Sequence, residues 1–253
     1  MKQVLPFVAC LGLLAGGCLD ATEDDDGLTG TDAGLTQAGP INYSIWQLQL
    51  PIGSGTSPTT IGPRELPTFS NVYFSRAEDG GQLFMSPATG VTTPGSQHPR
   101  TELRELAPSG GGAAWSAAGT NTMTVTGKVI KGSGVTIAQV FNGPDSIPLG
   151  ELQYSGGGFT MFYEEAKGAG SSTGLNMRVP LNTQYTFTMS LTKNVLTCSI
   201  NGKQVYARTP SDRIQGSKFY FKVGNYDQTS ARGPTSTTPR SIVENYSVVV
   251  VHQ

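Results

Sequence analysis

Residues 185–206 read YTFTMSLTKNVLTCSINGKQVY. From Tyr185 to Leu191, aromatic and aliphatic side chains alternate with Thr and Ser. A period of two puts one set on a buried face of a strand and the other on its outer face. Asn201-Gly202 separates Val195–Ile200 from Lys203–Tyr206, and this dipeptide suits the positive backbone dihedrals of a type I′ hairpin turn. The same alternation returns at Thr122–Thr126 and at Val135–Phe141, and Trp46-Gln47-Leu48-Gln49-Leu50-Pro51 reads as an early strand. β-Branched and aromatic enrichment favours strands over helix in each case. Short strands at this density, with no helical segment between them, predict an all-β sandwich or jelly roll. The terminal Val248–Val251 run is expected to be a strand buried on both faces, or an edge strand tucked under a loop.

Composition agrees. The chain has 253 residues, with 33 Gly and 16 Pro and only 14% charged side chains. That is enough for one large, turn-rich domain with a real core. A formal net charge of −1 argues against a general nucleic-acid binder but leaves room for a local basic groove.

The first residues read as an address. Lys2 precedes the apolar run Val4–Leu14, too short to span a bilayer, and Leu14-Ala15-Gly16-Gly17 leads into Cys18. Residues 1–18 resemble a bacterial lipoprotein signal, with Cys18 as the lipidated residue; plain signal-peptide cleavage is the alternative, because Ala15 stands where such signals more often carry Leu. Residues 19–40, acidic at Glu23–Asp26, form a solvated tether, and the domain occupies 41–253. The protein is therefore expected to be exported, either as a cell-envelope lipoprotein or as a free extracellular protein. Cys10 and Cys18 fall in the signal. Cys198 is then alone, without an intramolecular disulfide, and reads as a buried strand residue rather than a catalytic thiol.

Three segments place functional side chains two apart, on one face of a strand. In Arg100-Thr101-Glu102-Leu103-Arg104-Glu105 these are Arg100, Glu102 and Arg104. In Gln139-Val140-Phe141 they are Gln139 and Phe141. In residues 220–228, YFKVGNYDQ, they are Tyr220, Lys222, Tyr226 and Gln228, if the strand stays regular past Gly224. Taken alone, the first segment reads first as a solvated Arg–Glu–Arg row on a surface strand. The functional alternative is a fork of guanidinium groups held by Glu102 to grip carboxylates.

RTELRE, the Gln-Val-X strand and YFKVGNYDQ, in that order, resemble the three signature segments of the family 7 alginate lyases. The Trp46–Pro51 segment and Gly90-Val91-Thr92-Thr93-Pro94-Gly95-Ser96 extend the similarity over the whole domain. The resemblance implies a concanavalin A-like β-jelly roll of two antiparallel sheets and eliminative cleavage of a uronate polymer, either alginate or glucuronan. It matches Tyr226 to the family's catalytic tyrosine, and Arg100 or Arg104 with Gln139 to the residues that neutralise the substrate carboxylate. Lys222, Glu102, Tyr220, Gln228, Phe141 and His98 are the accompanying candidates for substrate binding. A C5 proton beside an ionised carboxylate is a poor acid, and pairing that carboxylate with a cation and an amide lets charge develop toward it. A phenolate base also implies a rate that rises into mildly alkaline pH. No cofactor is implied, and the sequence lacks a His/Cys cluster with metal-ligand spacing. The expected partner is an acidic polysaccharide. Membrane contact is expected only through the lipid anchor, with the chain acting as a monomer.

One position breaks the family pattern. Its middle motif ends in histidine, and here the residue is Phe141, which cannot accept a proton. The remaining histidines are His98, in the loop before the arginine strand, and His252 at the C-terminus. In mannuronate and glucuronate the C5 proton and O4 lie on the same side, so one tyrosine serves as base and acid in turn. In guluronate they lie on opposite sides and a second group is needed. The substitution therefore predicts a tyrosine-only lyase for mannuronate-type or glucuronate polymers. Its alternative is a surface-anchored module that binds acidic glycans without cutting them.

Overall fold

The computed structural model describes residues 40–253. The signal, Cys18 and residues 19–39 of the tether lie outside the described residues. In chain order the strands are β1 (Trp46–Ser54), β2 (Ser57–Ile61), β3 (Phe74–Arg76), β4 (Gln82–Pro87), β5 (Thr89–Gly90) and β6 (Arg100–Glu105). They continue with β7 (Asn121–Lys131), β8 (Val135–Asn142), β9 (Ile147–Ser155), β10 (Gly158–Tyr163), β11 (Ser171–Arg178) and β12 (Tyr185–Thr192). The last are β13 (Val195–Ile200), β14 (Lys203–Arg208), β15 (Phe219–Asp227), β16 (Ala231–Arg232) and β17 (Pro239–His252). Single 3₁₀ turns at Tyr43–Ile45 and Asp212–Ile214 are the only helical elements among the described residues.

Two antiparallel sheets form a jelly-roll sandwich. One has eight strands in the order β11-β10-β9-β8-β15-β6-β1-β2, the other seven in the order β14-β13-β12-β7-β17-β4-β3. The alternation in the sequence is the cause. In β12, Tyr185, Phe187 and Met189 are buried while Thr186 and Thr188 are half-exposed, and β13 repeats the pattern with Leu196, Cys198 and Ile200 inside. Burial also pushes the Cys198 thiol up to about 12, so it stays an inert thiol. The hairpin at Asn201-Gly202 has both residues at positive φ, 49° and 76°, as a type I′ turn requires. Trp46, Phe74, Phe84, Phe187, Phe219 and Phe221 fill the space between the sheets.

Val248–Val251 is neither buried on both faces nor tucked away. Its strand pairs with β4 only as far as Asn245, and beyond that only with β7, so Val248 is buried while Val249 and Val250 are half-exposed and Val251 is exposed. The Arg–Glu–Arg row is not a solvated ladder either: Arg100 and Glu102 are both buried.

One backbone feature sets the depth of the outer face of the eight-stranded sheet. Gly224 in β15 lies opposite Glu102 of β6 at φ +143°. A Cβ there would come within 2.7 Å of the Thr101 carbonyl oxygen and 2.9 Å of the Phe84 ring. Glycine is required both for the dihedral and for the approach of the two strands. The register of β15 against β8 also shifts between Val223 and Tyr226, so the strand bulges at this glycine. Gly224→Ala is expected to cost more than about 2 kcal/mol in urea unfolding, and to reduce activity in whatever fraction still folds.

Candidate active site

β8, β15 and β6 are neighbours, and the outer faces of β1 and β9 flank them. Together they line a groove of ≈350 Å³. In β6, Thr101 and Leu103 point inward, so Arg100, Glu102 and Arg104 all face this groove. Gln139 and Phe141 of β8 and Tyr220, Lys222 and Tyr226 of β15 face it too.

Glu102 is the hub. It is 2% exposed, yet three donors from three strands reach its carboxylate. Arg100 Nη1 lies 3.2 Å from Oε2, Lys222 Nζ lies 3.8 Å from the same atom, and Gln139 donates to Oε1 at 2.5 Å. A buried charge is tolerated only when it is paired and hydrogen-bonded. Burial pushes the Lys222 ammonium down to about 7; Glu102 opposes the shift, while Arg100 and Arg104 add to it.

Tyr226 stands at one end of the groove. Its hydroxyl is 3.0 Å from Ser96 Oγ, and the Arg100 guanidinium lies 3.6 Å from its ring centroid. Ser96 Oγ also lies 2.9 Å from the His98 carbonyl and accepts from the His98 amide, and in its contact with Tyr226 either hydroxyl can donate. Arg100 Nη2 donates to the same Ser96 oxygen at 3.1 Å. At the other end Phe141 and Tyr220 pack with ring centroids 5.2 Å apart. Lys222 Nζ sits 3.9 Å from the Phe141 centroid and Arg104 Cζ 4.3 Å from that of Tyr220. Burial pushes the Tyr220 hydroxyl up to about 12, so this tyrosine remains a phenol. Arg104 is exposed and forms no salt bridge among the described residues, which leaves its guanidinium available to an anionic ligand.

Two candidates fall outside the groove lining. β15 ends at Asp227, so its alternation does not carry Gln228 along, and the Gln228 amide turns to Thr136 Oγ1 at 3.2 Å. His98 is half-buried on the loop behind Tyr226, ring centroids 6.2 Å apart, and its Nδ1 bonds the Ser230 carbonyl at 2.6 Å. His252 is committed elsewhere, with Nε2 2.6 Å from buried Glu105. Among the groove residues not singled out as candidates from the sequence are Ser96, Gln49 and Glu151. Ser96 sits on a loop, where periodicity is silent. Gln49 and Glu151 do follow strand parity, in LQLQ-type and GELQ alternations, but parity alone does not distinguish them from ordinary outer-face residues. The Gln49 amide nitrogen and Arg100 Nε are buried donors without partners among the described residues.

The arrangement offers cations and amide donors to carboxylates, with one phenol at hand for proton transfer. The alginate lyase family model matches residues 41–253. A solved alginate lyase of Pseudomonas aeruginosa is 26% identical, covering 83% of this chain and 99% of its own, with a TM-score of 0.74. Another, described as a member of polysaccharide lyase family 7, is 29% identical over 84% of this chain and 96% of its own, with a TM-score of 0.73. A variant of that enzyme with one histidine changed to asparagine and one tyrosine to phenylalanine was solved with substrate; it is 28% identical over 84% of this chain and 94% of its own, with a TM-score of 0.72. No curated protein matches the sequence.

Lys222 generates a pH-linked stability. In the unfolded chain it keeps its proton to about pH 10.4, whereas in the fold it releases it near 7. Between those values folding releases a proton, so this group makes stability rise with pH; below about 7 both states are protonated and its penalty is fully present. Urea unfolding from pH 6 to 10 is expected to show this positive slope in the wild type and to lack it in Lys222→Met.

Proposed function

The chain belongs to the alginate lyase family, and from that premise we propose how its groove performs the elimination and on which uronate. The protein is a polysaccharide lyase acting on alginate. The observation that carries the mechanism is the convergence of Arg100, Gln139 and Lys222 on Glu102 in the groove that also holds Tyr226.

A polyuronate chain lies along the groove, its carboxylates meeting the cationic and amide donors. Arg100, stacked on Tyr226, and Gln139 take the carboxylate of the sugar to be cleaved. The unpaired Arg104 takes a neighbouring one. Lys222 adds positive charge below about pH 7. Tyr226, as phenolate, removes the C5 proton. The C5–H electron pair becomes the C4=C5 double bond as the C4–O4 bond breaks, and the new phenol returns its proton to O4. The base is regenerated and the product carries an unsaturated uronate at its new end. The donors matter most when negative charge has built up on the carboxylate, which is the requirement for lowering the barrier rather than merely binding.

Phe141 determines the preference. Its ring lies against Tyr220 and Lys222 and supplies no proton acceptor, so one tyrosine must serve both steps. That suits mannuronate, where the proton and leaving oxygen share a side. Tyr226→Phe is expected to keep its fold and lose on the order of 100- to 10,000-fold in kcat, followed by ultraviolet absorbance of the unsaturated product. In the same assay polymannuronate is expected to be cut well ahead of polyguluronate; equal rates would remove the single-tyrosine preference. For the N-terminal segment we propose export and lipid attachment at Cys18, supported by the Leu14–Gly17 run before it. Fatty-acid labelling of expressing cells is expected to mark the wild type and not Cys18→Ser.

A further inference from the structure

Glu151 of β9 lies on the groove and has no part in the elimination described above. It is 6% exposed. In register it stands directly beside Gln139, the amide assigned to the substrate carboxylate. Its two oxygens are treated differently. Oε2 accepts from Gln153 Nε2 at 2.9 Å and from Thr136 Oγ1 at 3.2 Å, whereas Oε1 takes no hydrogen bond among the described residues. The bonds to Oε2 orient the carboxyl group and leave Oε1 for a ligand.

The surroundings decide its protonation. On one flank, in register, stands Phe162 of β10, which is uncharged. On the other, Glu102 and Arg100 of β6 act on it across the groove with opposite signs, and Lys222 of β15 also interacts with it. Burial, helped by the Glu102 charge, pushes the Glu151 carboxyl up; Gln153, Thr136 and Arg100 only partly offset this. A second ionised carboxylate in a groove built for polyanions would repel the ligand, while a carboxylic acid at the same place has a donor to offer.

We propose that Glu151 is a further substrate-binding residue, which as an uncharged carboxylic acid donates a hydrogen bond, beside the Gln139 amide, to the carboxylate of the uronate being cleaved. As the C5–H pair flows toward that carboxylate, the bond from Glu151 shortens and strengthens; the proton stays shared and no other bond is made or broken. A neutral acid donor held in place stabilises developing oxyanion charge more than a water molecule does, because it needs no reorientation. Glu151 thus completes a three-sided cradle of guanidinium, amide and acid. When it ionises at higher pH the donor becomes a repulsive charge.

This inference rests on the carboxylate-binding role of Gln139 and Arg100 given under the proposed function. The test is steady-state kinetics on polymannuronate from pH 5 to 10 for the wild type, Glu151→Gln, Glu151→Ala and, as control, Tyr226→Phe. Glu151→Gln keeps a neutral donor and is expected to stay within about tenfold of the wild type in kcat at pH 6. Glu151→Ala is expected to lose on the order of 100-fold. Beyond the mildly alkaline maximum that a phenolate base implies, the fall in kcat/KM is expected to be shallower in Glu151→Gln, because only Lys222 then contributes to it. Wild-type kinetics in Glu151→Ala, an inactive Glu151→Gln, or an unchanged alkaline limb in Glu151→Gln would each overturn the assignment. If Glu151→Ala fails to fold, the pH profile of Glu151→Gln decides alone. Full activity in Tyr226→Phe would instead remove the tyrosine mechanism and leave the Glu151 result to be judged on its own pH profile.

Discussion

The carboxylate of Glu102 is buried, and Arg100, Lys222 and Gln139 are arranged around it. An isolated ionised carboxylate in such a position costs several kcal/mol, and removing one member of a buried pair typically costs about 3–5 kcal/mol. Here the compensation comes from Arg100, Gln139 and Lys222, which belong to β6, β8 and β15. The same contacts that make Glu102 tolerable hold those three side chains in one place. A surface cation on a flexible stem loses rotamer entropy when it meets a ligand. These groups are already ordered, so the groove meets an anionic sugar with much of that loss already incurred.

Topology makes the convergence possible. Residues near 100, 139 and 222 are distant in sequence, but the strand order β9-β8-β15-β6-β1 sets their strands side by side. Tyr226 then lies opposite Arg100 on one side and Thr136 on the other, and Lys222 opposite Arg104 and Gln139. Gly224 lets β15 and β6 approach beneath Glu102, and the accompanying bulge realigns Tyr226 against β8. A jelly roll by itself specifies no chemistry; the chemistry lies in which outer-face positions of five adjacent strands carry charge.

The sequence made the fold legible because period-two alternation and the Asn201-Gly202 turn are local signals with strong physical causes. Parity along a strand shows which side chains share a face within each segment, and the resemblance to the family 7 alginate lyases joined Arg100, Glu102, Arg104, Gln139, Lys222 and Tyr226 into one site. Parity fails where a strand stops, which is why Gln228 turns away after Asp227. It is also blind to loops, so Ser96, which bonds both Arg100 and Tyr226, entered only as the end of a segment that resembles the family and not as a site residue. Nor does parity show burial. The Arg–Glu–Arg row reads first as a solvated surface until neighbouring strands are known to cover it, and Val248–Val251 reads as core until β4 is known to leave its flank open.

Phe141 bears on the chemistry of the groove through what its side chain lacks. A histidine at this position would add a second group able to move a proton. The phenylalanine instead places an apolar ring against the Lys222 ammonium and the Tyr220 ring. Its electron-rich face attracts the ammonium, but it offers no hydrogen bond, and the burial to which it contributes is what lowers the lysine toward neutrality. Burial pushes the lysine beside it down to about 7, and on the proposed mechanism Tyr226 is left to carry both proton transfers. On that mechanism the substrate preference follows from the proton acceptor that this ring lacks, while the charge state of the groove follows from burial of Lys222 together with the neighbouring Arg100 and Arg104.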